Sequence, residues 1–234
     1  MCTVVVRRSA DRPVEVLAIR DEVTSRAFDV PDRWWPQFPD VVGGRDRLAG
    51  GTWCATGVGS GVTALVLNRY HDRPAAPGSP SRGVLPLLGA VHGTDWVSRV
   101  QLTGMAGFLL VLVSPARLTT WLFDGDRLTE TEHAEGTHVM TSGGPEDRKA
   151  DRWRGALATA TFPDGWRGLV QARPPADDPS ALVVRHERDG QVYGTVFAEL
   201  VDARPGRLHL EYSRRPWTAG PWDTAAFGTS VPTS

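Results

Sequence analysis

Residues 1–22, MCTVVVRRSADRPVEVLAIRDE, decide how this chain is read. Two β-branched runs, 3–7 and 14–19, flank the polar segment 9–13, SADRP, which is the pattern of a β-hairpin. Cys2 stands directly ahead of the first run, and its side chain is small enough for an aminopeptidase to remove Met1. The chain would then begin with a thiol and a free α-amine on one residue. An α-amine titrates near ~7.7–8.0 and a free thiol near ~8.5, so the amine can accept the thiol proton at little cost. The other reading of Cys2 is a buried strand cysteine acting as a small hydrophobe, and both stand open at this point. Arg20 and Asp21 close the second run, and strand pairing carries them toward Cys2. Arg20 suits lowering a thiol pKa or holding a carboxylate; Asp21 suits anchoring or orienting the amine.

The rest of the chain sets the frame. Its 234 residues are long enough for one domain with a sizeable core, expected over 1–215 with a tail at 216–234. A formal net charge of -1 gives no reason to expect nucleic acid or an anionic membrane as partner. Arginine is spread along the chain, and Lys149 is its only lysine. Arg7, Arg8 and Asp11 interrupt the apolar start before a signal peptide could form. The longest apolar run, around 108–113, is far short of the ~20 residues that span a bilayer. Two cysteines without a leader imply a reducing, cytoplasmic setting and no disulfide framework.

The pattern is strand-rich. Residues 22–50 read as a long loop carrying Trp34, Trp35 and Phe38, aromatics that suit either a ligand pocket or core. A second hairpin spans 52–56 and 62–68 around the turn GVGSG; the β-patterned VTALVLN after it argues against a phosphate loop. A Pro-rich loop at 71–82 leads to short helices within 83–103, with Thr94 expected as an N-cap and Asp95 in the first turn. Further strands are expected at 108–113, 118–123 and 138–141, broken by Asp124-Gly125-Asp126. A helix at 151–160 follows, with Trp153 and Leu157 at i,i+4 spacing, then strands at 182–186, 193–201 and 207–212. The tail from Pro216 reads as loosely ordered. His133 and His138, near Glu130, Glu132 and Glu135, match no metal-site spacing and read as a solvated acidic loop. Strands in blocks with helices grouped between them indicate an α+β fold.

Several motifs, taken in order, resemble a known family. Met-Cys at the start, Arg20-Asp21-Glu22, Gly44-Arg45-Asp46 and Ala49-Gly50-Gly51-Thr52-Trp53 are similar to the NRDE family, also called the transport and Golgi organization 2 family. LNRY at 67–70, SRG at 81–83, DRW at 151–153 and YGT at 193–195 extend the resemblance over most of 1–202. It implies an N-terminal-nucleophile (Ntn) hydrolase-like fold, a four-layer αββα sandwich of two antiparallel sheets. Carried over residue by residue, Cys2 is nucleophile and base, Arg20 and Asp21 are its polar surroundings, and Asn68 is an oxyanion donor. Arg45, Trp53, Trp34 and Ser142 are the expected substrate contacts, with Gly44, Arg45 and Asp46 at the pocket rim. Three positions depart from the family pattern. Ile19 stands where the name motif has Asn, Gly143 follows Ser142 where relatives tend to carry Asn, and Val196 follows YGT where relatives often carry Arg. Loss of one oxyanion donor costs on the order of 10²–10³ in rate.

Two functions follow. The first is a hydrolase cleaving a small amide or acyl substrate through Cys2, with no metal or cofactor. The second, favoured by Ile19, Gly143 and Val196, is a non-catalytic carrier or trafficking protein for haem or another hydrophobic ligand. The resemblance implies the haem role, whose axial ligand would be His, Cys or Met.

Overall fold

The computed structural model describes residues 2–69, 74–143 and 147–229. Tyr70 of LNRY, the start of the 71–82 loop and the end of the tail lie outside the described residues. The first hairpin forms as its pattern dictates: β1 (Thr3–Arg8) pairs antiparallel with β2 (Val14–Val23), with Thr3 opposite Ile19 and Val6 opposite Val16. Side chains of a strand alternate between faces, so Val4, Val6, Val16 and Ala18 enter one core while Val5, Leu17 and Ile19 enter another. A hairpin apolar on both faces belongs inside a layered sandwich.

Residues 22–50, expected as a loop, instead carry β3 (Phe28–Asp32) and β4 (Val41–Asp46). Pro31 and the glycines of β4 hide the strand pattern. Proline is tolerated here because β3 is an edge strand whose register against β4 breaks between Asp29 and Asp32. β5 (Cys54–Gly57) and β6 (Val62–Asn68) form the second hairpin. They are followed by α1 (Leu85–His92) and a 3-10 turn over Gly93–Arg99. Thr94 lies inside that turn rather than capping it; His92 holds the N-cap position, without a side-chain bond, while Asp95 is in the first turn as expected. β7 (Phe108–Val113), β8 (Leu118–Phe123) and β9 (Leu128–His133) complete a sheet ordered β3-β4-β5-β6-β7-β8-β9. Asp124 Oδ1 fixes the β8–β9 turn by accepting the N–H groups of Asp126 at 2.9 Å and Arg127 at 2.8 Å. The solvated acidic loop expected around Glu130 and Glu132 is thus the edge strand β9, and its exposed carboxylates discourage pairing with another chain.

The chain then crosses to the other sheet with β10 (Gly136–Thr141), which pairs with β1. After α2 (Arg148–Thr159) and α3 (Asp164–Gln171) come β11 (Arg185–Arg188), β12 (Gln191–Arg204), β13 (Arg207–Ser213) and β14 (Asp223–Gly228). The order is β10-β1-β2-β12-β13-β14, with β11 beside β12. The tail expected to be loosely ordered therefore supplies an edge strand, and Trp222 is buried against the outer face of this sheet.

Three cores define the layers. Val4, Val16, Val42, Leu65 and Val111 fill the space between the sheets. Leu157 of α2 and Trp166 and Val170 of α3 cover the outer face of the β1–β2 sheet. Leu85 and Leu88 of α1, with Trp96, cover the other. The protein is an α+β, four-layer αββα sandwich. Among the described residues no helix is long and apolar enough to cross a membrane.

Candidate functional site

Cys2 precedes β1, where the β1–β2 register sets it beside Arg20. Its carbonyl accepts the Ser142 N–H at 3.2 Å, and its Sγ lies 3.6 Å from the carbonyl oxygen of Asp21. The half-buried thiol lines a cavity of about 320 Å³ together with Arg20, Asp21, Trp53 and Asn68. Burial pushes the thiol pKa up, and the Asp21 charge pushes it further. The thiol therefore needs a base to become a nucleophile near neutral pH.

Arg20 projects from β2 toward the second sheet. It is 5 % exposed, with its guanidinium 4.6 Å over the Trp53 ring and 5.4 Å from Phe28. Nη2 donates to Asp46 Oδ2 at 3.2 Å and stands 3.5 Å from Glu22 Oε2; Nη1 is buried with no hydrogen-bond partner among the described residues. Arg26 Nε donates to the same Asp46 oxygen at 2.6 Å. Asp46 Oδ1 accepts the N–H groups of Leu48 and Ala49, both at 3.0 Å, which shapes the turn before Gly51. Burial raises the Asp46 pKa, but the bonds from Arg26 and these N–H groups outweigh it and hold the carboxyl below its ordinary range.

Asp21 points the other way, into the helical layer. Its Oδ1 accepts the Thr195 hydroxyl at 2.6 Å, and its Oδ2 lies 3.5 Å from Lys149 Nζ. Lys149 is fully buried, and its Nζ also donates to the Leu182 carbonyl at 3.5 Å. It sits in the first turn of α2, whose N-cap Asp147 accepts the Lys149 N–H at 2.9 Å. Thr195 borders a β-bulge where the β12–β2 register shifts before Phe197, a device common beside functional sites.

Trp53 is held from beneath: its Nε1 donates to Glu199 Oε1 at 3.1 Å. Burial pushes Glu199 up to about 7 against the opposing bonds from Trp53 and Cys54. Cys54, next to it, is driven well above the ordinary thiol range by burial and then by the Glu199 charge.

Cys2, Arg20, Asp21, Trp53 and Asn68 thus share one cavity. Ser142 hydrogen-bonds Cys2 through its backbone; its Oγ is buried with no hydrogen-bond partner among the described residues. Arg45 and Trp34 lie elsewhere: Arg45 pairs with Asp29, Nη2 to Oδ2 at 2.7 Å, and stacks 4.5 Å over the Trp34 ring. Neighbouring strand residues face opposite ways, so Asp46 rather than Arg45 reaches the cavity. The three departures fall outside the lining. Ile19 packs in the helical-layer core, and Val196 packs with Phe28 and Phe197. A Cβ at Gly143 would stand 2.7 Å from Asp147 Oδ2, which leaves no room for an asparagine unless the helix cap moves.

Sequence reasoning gave no role to Glu22, Arg26, Lys149, Thr195 or the segment Ser81-Arg82-Gly83, which also lines the cavity. Two signals pointed to them: the SRG and YGT motifs, and a single lysine among many arginines. Gly51 is required where that segment meets β5, because a Cβ there would lie 2.5 Å from the Gly83 carbonyl carbon.

Two antiparallel sheets between helical layers, with a cysteine leading an inner strand into a polar cavity, make an Ntn-hydrolase-like fold. The fold is similar to that of the C2A mutant of the conjugated bile acid hydrolase from Clostridium perfringens. The TM-score is 0.58 at 10% sequence identity, covering 98% of this chain and 92% of that one, which is a likeness of fold. No curated protein sequence matches. The sequence profile of the family Transport and Golgi organisation 2 matches residues 1–162, and the chain belongs to that family.

Proposed function

We propose that the protein is a cysteine hydrolase of the Ntn type acting on a small amide or acyl compound in a reducing, cytoplasmic setting. One observation carries this reading: Cys2 lines a cavity whose other walls include Arg20, Asp21 and Asn68. With Met1 removed, the α-amine of Cys2 takes the thiol proton, and the sulfur attacks the substrate carbonyl carbon to form a C–S bond. Asn68 and a backbone N–H stabilise the oxyanion. The amine returns the proton to the leaving nitrogen as the C–N bond breaks. Water then attacks the thioester, releasing the acid and restoring the thiol. The structural neighbour, itself named a hydrolase, supports the reading.

Intact mass and thiol labelling test it together. The expected result is loss of Met1 and alkylation of Cys2 by iodoacetamide near pH 7.5 at least tenfold faster than Cys54. Retention of Met1 in the active preparation would sink it.

A second reading, a carrier for a hydrophobic ligand, is supported by a cleft of about 430 Å³ at the edge between β8–β9 and β10. Leu109, Leu122, Val139 and Met140 line it beside His133 and His138, whose ring centroids are 5.3 Å apart. Neither ring has its Nε2 open to a haem iron as placed. His133 Nε2 is hydrogen-bonded to the Thr120 hydroxyl at 2.8 Å and His138 Nε2 to the Ala134 carbonyl at 2.9 Å. The carrier reading is for a hydrophobic ligand held against Leu109, Leu122, Val139 and Met140. Saturable binding of a fluorescent fatty acid, weakened by Leu122→Lys, is its expected signature; no binding at micromolar protein removes it.

A further inference from the structure

Glu199 is a buried acid that the proposed reaction does not use. It is 1 % exposed on β12, between the two sheets. Among the described residues its carboxyl meets Trp53 and Cys54 and pairs with no cation. A buried carboxyl without a counter-charge favours its neutral form, and burial accordingly brings Glu199 up to about 7. What this carboxyl adds over a leucine of similar size is an acceptor, and the Trp53 Nε1–H donates to it at 3.1 Å.

Trp53 is the cavity wall on which Arg20 lies. Packing sets most of its surroundings. One edge of the indole lies against Gly44, where a Cβ would come 2.4 Å from Cζ2. Phe28 and Phe197 meet the ring edge-on, each with centroids 5.6 Å away, and the Arg20 guanidinium stands 4.6 Å over it. Those contacts fill space; the bond to Glu199 is the one hydrogen bond that the indole makes among the described residues. Without that bond, a largely enclosed N–H loses its partner, and the ring is free to shift toward another acceptor or water.

The effect reaches the thiol through Arg20. Asp46 and Glu22 hold the edge of the guanidinium, while Trp53 supports its face. Burial raises the Cys2 pKa, and the Arg20 charge acts against that rise. A path of direct contacts thus runs from Glu199 to Trp53 to Arg20, and its last step to Cys2 is electrostatic.

We propose that Glu199 is a positioning residue of the Cys2 site: its carboxyl fixes the Trp53 wall, and that wall keeps the Arg20 charge beside the thiol. The proposal deepens the hydrolase reading and rests on it for the use made of the thiol. The role needs an acceptor at position 199 rather than a charge, so glutamine can fill it and leucine cannot.

The pH midpoint of Cys2 alkylation by iodoacetamide, read by peptide mass spectrometry, tests it. Glu199→Leu is expected to raise the midpoint by about half a pH unit, roughly a threefold smaller thiolate fraction below it. Glu199→Gln is expected to keep the parent midpoint. In a Trp53→Phe background, which has no indole N–H, Glu199→Leu is expected to add no shift. A midpoint that Glu199→Leu leaves unmoved overturns the proposal. So does an equal shift in Glu199→Gln, which would make the charge the active element. So does an undiminished shift in the Trp53→Phe background, because the path would then bypass the indole.

A second measurement needs no variant. In the unaltered protein the Trp53 indole N–H, assigned by triple-resonance NMR, is expected to exchange with solvent about tenfold or more slower than that of free N-acetyltryptophanamide. Exchange at the free rate overturns the proposal, because the indole would then have no lasting bond to Glu199. The two readings fail separately. Rapid labelling of Cys2 that ignores Glu199→Leu leaves the nucleophile and removes the positioning role. No labelling of Cys2 removes the hydrolase reading; the thiol midpoint is then followed by thiolate ultraviolet absorbance, with Cys2→Ser as the blank, and the same shifts decide the role of Glu199.

Discussion

Cys2 and Cys54 pack toward the same core between the two sheets, yet their surroundings are opposite. Cys54 opens β5 and is buried, with the carboxyl of Glu199 beside it, and it is not among the residues lining the Cys2 cavity. Cys2 lies at the end of the sandwich, half-buried, with a cavity in front and the Arg20 charge acting to lower its pKa. Burial raises both thiols, so burial alone does not separate them. What separates them is the neighbouring charge and access for a substrate. A close-packed core leaves a buried thiol no route to a substrate, whereas a thiol on a cavity wall has one.

The largest test of this contrast is Lys149→Met. It leaves the Asp21 carboxylate buried without its cation, a change expected to cost about 3–5 kcal/mol in urea unfolding. The double variant Asp21→Asn with Lys149→Met is expected to recover much of that loss, because no buried charge remains. A loss below about 1 kcal/mol for the single variant would mean that Asp21 draws its support from Thr195 instead.

Glu199 gives the next effect, through pH. Its folded pKa of about 7 lies above the ordinary 4.5, so the folded state holds a proton that the unfolded chain releases. The stability it contributes is full below about pH 4.5 and is lost as pH rises through about 7. The loss is about 3 kcal/mol at roughly 1.4 kcal/mol per pKa unit. Glu199→Gln, neutral at every pH, is expected to abolish that part of the slope when its unfolding free energy is compared with the parent between pH 4.5 and 8. Parallel curves would show that the carboxyl is not held protonated against Trp53 and Cys54.

Cys54→Ala is the smallest change, costing about 1 kcal/mol from a slightly underfilled core. It is expected to leave the iodoacetamide labelling rate of Cys2 unaltered. A change of more than threefold at Cys2 would mean the two thiols are coupled through Trp53 and the contrast between them is not local.

Much of the fold was readable along the chain because its signals are short-range. Alternation in TVVV and VEVLAI marks a strand pair apolar on both faces, and Asp124-Gly125-Asp126 marks a turn. Several strands that escaped lie at sheet edges, whereas the internal strand β4 was hidden by Gly43 and Gly44. β3 contains Pro31, β9 is acidic on its outward side, and β14 is built from small and polar residues. An edge strand buries little, so its sequence carries little hydrophobic period. The site was legible where residues adjoin in sequence or across one hairpin, as with Cys2, Arg20 and Asp21. It was illegible for Lys149 and Thr195, which reach Asp21 from α2 and β12. Arg45 turns away from the cavity that its strand neighbour Asp46 reaches and stacks on Trp34 instead.

The sequence by itself determined the leading cysteine, the paired inner strands and the charged residues that end the second one. Those depend on local chemistry and on a side-chain period that one strand already displays. Only the tertiary structure decided which face each charge serves: Arg20 inward onto Trp53, Asp21 outward to a buried lysine, and Ile19 out of the site altogether. Those outcomes depend on which layer covers each sheet face, and residues far apart in the chain supply that layer.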